Sequence, residues 1–280
     1  MKLQVVIVAY NAPAELDCCL SGLRGEIETV VVDNSSSAEI AAIVARHDAR
    51  YVDPGANLGF AAGVNLALRT TPQTSDVLLL NPDAVIAPDA ARRLHSWLRE
   101  ENNARVAAVT PSLHDSGGKP ERVWWPFPSP WRMCAEAIGI GSLPSRRHFV
   151  IGAVLLLRRE ALEAVGGFDE RFFLYAEEVD WQLRASKLGW RSALCPTVEA
   201  EHAGGATSED SRRRELLFHL AHESYMRKWY GSTGWYLYRV AACAGAAARM
   251  LVLRGERRAS AARRALLYLR GPSRVAARQV

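Results

Sequence analysis

The stretch Phe172-Phe173-Leu174-Tyr175-Ala176-Glu177-Glu178-Val179-Asp180-Trp181 sets carboxylates among aromatic rings. Aromatic side chains seek burial and ionised acids avoid it, so the mixture suits the floor of a pocket. A carboxyl group held there has its pKa raised and can take a proton from a hydroxyl. Glu177, Glu178 and Asp180 are the candidate proton acceptors. They also open a predicted helix, where the dipole favours negative charge, so a purely structural use of two of the three stays open.

A second set of polar residues falls at the ends of predicted strands. Leu78-Leu79-Leu80 runs into Asn81-Pro82-Asp83, which puts a carboxylate at the mouth of a buried strand. Mg²⁺ takes one or two such carboxylates together with phosphate oxygens of a substrate. Asp83 is therefore a candidate cation ligand, with a plain Asn-Pro-Asp turn as the alternative. Asn11 and Asp33 end two earlier runs. Asp33 is placed to accept hydrogen bonds from a base or ribose, or to cap the helix after it. Asn57, Gly59, Gly63 and Asn65 stand around a helix start whose N–H groups can approach phosphates closely. His202, just before Gly204-Gly205, suits a metal or phosphate contact and equally a structural role. No GxGxxG or GxxxxGK[ST] loop occurs, so a dinucleotide fold and a P-loop NTPase both lack motif support.

The elements that must position these residues alternate in the first half. Strands are predicted at Leu3–Ala9, Thr29–Val32, Tyr51–Val52, Val77–Leu80 and Val106–Val109. Helices are predicted at Ala14–Leu23, Ala38–His47, Ala61–Arg69 and Asp89–Glu101. Continuous apolar runs such as VVIVA belong to strands buried on both faces. An open α/β sheet follows, with ligands at the carboxyl ends of its strands. The second half is less regular. His114–Pro130 reads as a loop or short hairpin and Pro144–Phe149 as a loop. Strands are expected at Val150–Leu157 and Trp190–Pro196, and helices at Arg159–Val165, Glu177–Leu188 and Glu209–Tyr230. One catalytic domain over residues 1–230 and a basic helical appendix over 231–280 is the simplest division.

The 280-residue chain carries a formal charge of +5. From Gly231 onward ten arginines face one glutamate, a local +9 that leaves −4 for the body. A mildly acidic body argues against a nucleic-acid partner, and the basic tail points to a local anionic one. Met250–Leu253 and Leu266–Leu269 are apolar patches flanked by arginines, suited to an anionic leaflet or to a homodimer contact. The five cysteines lack any framework spacing, and neither a signal peptide nor a spanning helix is expected. A cytoplasmic location follows, peripheral at the inner face of the plasma membrane if the tail meets lipid.

Taken in order, VIVAYN (6–11), VVVDNSS (30–36), NLGFAAGVN (57–65), LLLNPDA (78–84), GAVLLLRR (152–159), GGFDERFFLYAEEVDWQLR (166–184) and His202-Ala203-Gly204-Gly205 resemble the family 2 inverting glycosyltransferases of the GT-A fold. The likeness is to their rhamnosyltransferase-like branch. It implies a single Rossmann-like nucleotide-sugar-binding domain with an open mixed sheet. Ala9, Asn11 and Asp33 would hold the base and ribose, with Asn57, Gly59, Asn65 and Asn81 lining the same crevice. Asp83 would bind Mg²⁺ or Mn²⁺ with His202, and Glu178 would be the general base with Glu177 as competitor. Asn81 replaces the first Asp of the family's DxD motif, and Glu178 replaces an Asp.

The resemblance implies dTDP-rhamnose as donor and a cell-envelope glycan or polyprenyl-linked acceptor. Two other classes stay in view. A sugar nucleotidyltransferase would carry a Gly-rich, basic loop after the first strand, where this chain has Asn11-Ala12-Pro13. A silent nucleotide- or carbohydrate-binding module would have no need of the acidic cluster.

Overall fold

The computed structural model describes residues 1–140, 145–204 and 211–277. Gly205 of the His202 motif and the first two residues of the helix expected from Glu209 lie outside the described residues. In chain order the elements are β1 (Lys2–Ala9), α1 (Pro13–Leu23), β2 (Thr29–Asp33), α2 (Ala38–Arg46), β3 (Arg50–Val52), α3 (Phe60–Thr70), β4 (Ser75–Leu80) and β5 (Ala84–Val85). Next come α4 (Pro88–Arg99), β6 (Val106–His114), β7 (Trp124–Pro126), α5 (Pro130–Ala137), β8 (His148–Val150), β9 (Val154–Leu157), α6 (Arg159–Val165) and α7 (Glu177–Lys187). The chain ends with β10 (Arg191–His202), α8 (Ser211–Val252), α9 (Gly255–Arg270) and α10 (Pro272–Ala276).

These elements form two compact units, residues 1–125 with 147–210, and residues 126–146 with 211–280. The first unit is built on an eight-stranded sheet of order β3-β2-β1-β4-β9-β6-β10-β5. β1 pairs in parallel with β2 and β4, and β9 runs antiparallel between β4 and β6. This is the open mixed sheet expected. Alternation along β1 explains the two-faced core. Val5, Ile7 and Ala9 face one cluster with Leu16, Leu20, Ile40 and Leu94. Val6 and Val8 face the other with Val64, Ala67 and Trp181. Both faces are dry, as an apolar parallel run requires.

Two expectations are corrected, and one element is new. The run read as one strand over 150–157 is two, β8 and β9, separated by Ile151-Gly152-Ala153. The strand expected to stop at Pro196 continues to His202, because a register shift between Cys195 and Glu199 absorbs the proline. β5, for which no element was expected, is a two-residue edge strand that pairs antiparallel with the end of β10.

At the start of β4, Asp76 is fully buried and accepts from His95 Nε2 at 2.8 Å, Arg99 and the Arg159 N–H at 2.8 Å. Burial pushes its carboxyl up, but His95, Arg99 and the Arg159 N–H outweigh that and bring it to about 2. A depressed carboxyl contributes stability above its unfolded value and loses it as pH falls through the folded one. Asp76→Ala is expected to cost about 3 kcal/mol, because Arg99 and His95 lose a buried partner. Urea unfolding should show the wild type losing this advantage as pH falls from about 4 to about 2.

The second unit gathers α5, α8, α9 and α10 around Trp235, Tyr238 and Tyr268, all buried. α8 breaks at Gly231, whose backbone (φ 66°, ψ −169°) is non-helical. The sequence reading divides the chain after residue 230. The compact unit nevertheless reaches back to Ser211 and includes residues 126–146. Glu223, buried on α8, accepts from the Ser273 N–H and hydroxyl, both at 3.1 Å. Among the described residues no helix is long and apolar enough to cross a membrane.

Candidate active site

The expected polar residues do collect at the carboxyl ends of β1, β2 and β4, but they divide into groups with different work. Asp33 is fully buried at the end of β2. Its Oδ1 accepts from the Ser35 N–H and hydroxyl, and its Oδ2 from the Ser37 N–H at 2.7 Å and Tyr51 Oη at 2.9 Å. Four donors fill the four lone-pair sites of a carboxylate. Asp33 thus holds the turn into α2, and a base or ribose would have to displace the Ser35 or Tyr51 hydroxyl to reach it. Ala9 is buried and its carbonyl accepts the Asn34 N–H at 2.9 Å, while Asn11 turns the chain away with φ 49°.

Asn57 and Gly59 form the next group. Asn57 Oδ1 accepts the Gly59 N–H at 3.0 Å, and buried Asn34 donates to the Gly59 carbonyl at 3.0 Å. Gly59 has φ 80°, and a Cβ there would lie 2.4 Å from the Phe173 carbonyl oxygen, which accepts the Phe60 N–H. This turn is therefore seated directly on the acid-bearing segment. Gly59→Ala is expected to cost about 2–4 kcal/mol, from a left-handed alanine plus a backbone clash, and to weaken nucleotide binding. Urea unfolding and calorimetric titration with nucleoside diphosphate check the two effects. Asn65 works one turn deeper. Its Nδ2 donates to the Phe168 carbonyl and Glu170, and its Oδ1 accepts the Phe168 N–H. It staples α3 to the loop before Phe172.

That loop enters α7 through Tyr175 (φ 71°) and Ala176 (φ 66°). Two successive non-glycine residues in the left-handed region are strained, and such strain concentrates where function holds it. The turn delivers Glu177 and Glu178 to the first turn of α7. Glu177 is buried, Glu178 half-buried, and each has an Oε2 that is buried without a hydrogen-bond partner. Burial raises both carboxyls. The Glu178 charge pushes Glu177 further, well above the usual carboxylate range, while N–H groups of Glu178 and Val179 restrain Glu178. Asp180 is different. It is fully buried, and its Oδ2 accepts from Arg184 at 3.0 Å, whose other nitrogens donate to the Val165 and Gly167 carbonyls. It braces the loop.

The cation-binding candidates meet through β5. Its pairing puts His202 opposite Ala84, and the Ala203 N–H donates to the Asp83 carbonyl at 2.9 Å. Asp83 is buried, with an Oδ1 that has no hydrogen-bond donor and lies 3.6 Å from His202 Nε2. Burial raises its carboxyl, partly offset by His202. An orphaned buried carboxylate oxygen beside an imidazole fits a divalent cation. Among the described residues no three His, Cys, Asp or Glu side chains gather into a metal group. Glu121, which sequence reasoning missed within a Gly- and Pro-rich stretch, accepts from His202 Nδ1 at 2.8 Å.

The two acidic groups share one piece of backbone. The Asn81 N–H, beside Asp83, donates to the Ala153 carbonyl at 2.9 Å. A Cβ on neighbouring Gly152 would lie 3.4 Å from Glu178 Cγ.

A family profile described as "Glycosyl transferase family 2" matches residues 4–166. The chain is 29% identical over 210 residues to the low-salt glycan biosynthesis hexosyltransferase Agl10 of Haloferax volcanii, covering 71% of this chain and 66% of that protein's length. It is 29% identical over 262 residues to the N-acetylglucosaminyl-diphospho-decaprenol L-rhamnosyltransferase of Mycobacterium tuberculosis, covering 78% and 80% of the two chains. In fold it resembles the mannosyltransferase PcManGT from Pyrobaculum calidifontis, solved in complex with GDP-Man and Mn²⁺. The TM-score is 0.56 at 21% identity, over 98% of this chain and 82% of that one.

Proposed function

Because this chain belongs to glycosyl transferase family 2 and is a nucleotide-sugar-using glycosyltransferase of the GT-A fold, we propose that it transfers L-rhamnose from dTDP-rhamnose with inversion. The acceptor in this reading is a hydroxyl of a polyprenyl-diphosphate-linked or other cell-envelope glycan. One observation carries it: an orphaned carboxylate at Asp83 and a proton-accepting pair at Glu177 and Glu178 lie on either side of Gly152-Ala153. Donor and acceptor chemistry need such a division. The curated relative named for L-rhamnosyl transfer to a decaprenol-linked sugar supports the choice of substrates.

Asp83 and His202 would hold Mg²⁺ or Mn²⁺, which when bound supplies Lewis-acid stabilisation of the departing diphosphate. Asn57 and Gly59 shape the turn that receives the diphosphate, with Asn81 at the crevice edge and Asn65 fixing that turn's helix. Ala9, Asn11 and Asp33 form the wall for the base and ribose. Glu178 takes the proton of the acceptor hydroxyl as its oxygen bonds to C1 from the face opposite the leaving group. The diphosphate leaves with the bonding pair, and the configuration at C1 inverts. Glu177 lies buried beside it, and Asp180 braces the helix.

The test is a donor screen with and without lipid-linked acceptor. Diphosphate nucleotide release that requires acceptor, fastest with dTDP-rhamnose, with an inverted product by NMR, is expected. Release of inorganic diphosphate from a sugar phosphate and a nucleoside triphosphate would instead indicate a nucleotidyltransferase, and tight binding without turnover a silent module.

The helical tail supports a peripheral position at the inner membrane face. On α8 the residues Tyr236, Val240, Ala244, Ala247 and Leu251 recur at helical spacing and are all exposed. Exposed Arg249 lies in the last turn of the same helix, and exposed Arg254 follows just after it. An apolar stripe bordered by arginine suits an anionic leaflet. Val240→Asp with Leu251→Asp is expected to lower sedimentation with phosphatidylglycerol vesicles about tenfold or more. An unchanged vesicle fraction, with loss of a dimer by light scattering, would assign the stripe to a homodimer.

A further inference from the structure

Glu121 lies on the return arm of a short hairpin that follows β6. The Glu121 N–H donates to the Leu113 carbonyl at 2.8 Å, and His114 bridges to Pro120. The turn is closed by Asp115, whose Oδ1 accepts the Gly117 and Lys119 N–H groups. β10 runs beside β6 with Glu201 opposite His114, so the hairpin and His202 are set by one ladder. The carboxylate is thus placed by backbone pairing on both sides, 2.8 Å from His202 Nδ1.

A carboxylate can only accept, so the hydrogen between it and Nδ1 belongs to the ring. A neutral imidazole carries one N–H. With that hydrogen on Nδ1, Nε2 carries a lone pair directed to the side of Asp83. Asp83 Oδ1, buried and without a donor, faces it at 3.6 Å. Two lone pairs at that distance need a positive centre between or beside them.

We propose that Glu121 is a positioning residue that fixes His202 as the Nδ1–H tautomer, so that Nε2 and Asp83 Oδ1 present a matched pair of lone pairs to a divalent cation. This rests on the reading of Asp83 and His202 as the cation site. Hydrogen bonding from a ligating imidazole to a carboxylate orients the ring and raises its basicity, and losing it costs about 10- to 100-fold in metal affinity.

The experiment uses the full chain labelled with ¹⁵N-histidine. In the metal-free wild type, long-range ¹H–¹⁵N correlations of His202 should show Nδ1 protonated and Nε2 bare. In Glu121→Ala the two nitrogens should average. Mn²⁺ titrated in the presence of dTDP and followed by electron paramagnetic resonance should bind about 10- to 100-fold more weakly to that variant. Its kcat at saturating Mn²⁺ should stay near wild type. Should Glu121→Ala fail to fold, Glu121→Gln, which removes the charge, carries the same two readings. A wild-type His202 protonated on Nε2, or unchanged Mn²⁺ affinity in the variant, overturns the proposal. A wild type that binds no Mn²⁺ with dTDP overturns the cation-site reading itself.

Discussion

Glu178→Gln should lower kcat by about 10²- to 10⁴-fold, the range for loss of a general base, with donor affinity little changed. The choice of Glu178 over its neighbour follows from their surroundings. Burial raises both, but Glu177 is the more buried and is pushed further by the Glu178 charge, whereas Glu178 is half-buried and held back by two helix-start N–H groups. The two carboxyls titrate as a coupled pair, with Glu177 raised the further. With the base on Glu178 and the shape of the buried neighbour preserved, Glu177→Gln should keep more than about a tenth of wild-type activity. Equal loss in both variants would reverse or merge the assignment.

The same burial gives a stability signature of opposite sign. A carboxyl raised on folding binds its proton more tightly in the folded chain. Stability is then greatest below the unfolded value and declines as pH rises from about 4.5 towards the folded one. Glu178→Gln removes the share of that decline that Glu178 contributes. The variant should melt higher than wild type at neutral pH and no higher at pH 4. The activity of wild type should fall at low pH from a value above the ordinary carboxylate range, because the base works only when ionised.

Asp83→Asn should reduce turnover about 10³-fold, the effect of losing several kcal/mol of charge stabilisation at a leaving diphosphate. Added Mn²⁺ should not restore it. Asp83 is also raised by burial, so the neutral isostere should be the more stable protein at neutral pH without metal. With Mn²⁺ and dTDP the order should invert. Ligand binding stabilises the wild type by mass action, and the variant gains little. A variant whose melting point rises with Mn²⁺ and dTDP as steeply as wild type would remove Asp83 from the cation site.

Much of the sheet was legible because β1, β2 and β4 are buried on both faces and read as unbroken apolar runs. Their polar ends marked the crevice for the same reason. The acid cluster was legible from its improbable company of aromatics. What escaped detection depends on partners distant in sequence. A two-residue strand such as β5 has no period, and its existence depends on β10 passing Pro196 through a register shift. Asn65 looked like a crevice residue because it follows a Gly-rich helix start, yet its partners lie 103 and 105 residues away. Asp180 shares the helix start of Glu177 and Glu178, but Arg184 one turn later claims it. Spacing alone placed these acids together and could not say which would be paired.

The brevity of β5 has a further consequence. His202 stays beside Asp83 through two paired residues on a sheet edge and one adjoining hydrogen bond. Opening that edge separates the two side chains and uncovers Ala84, which is buried in the core, so the apparent affinity is the intrinsic one multiplied by the closed fraction. Changes in the edge residues Ala84 and Val85 can therefore adjust affinity through pre-organisation, with no atom of the site replaced.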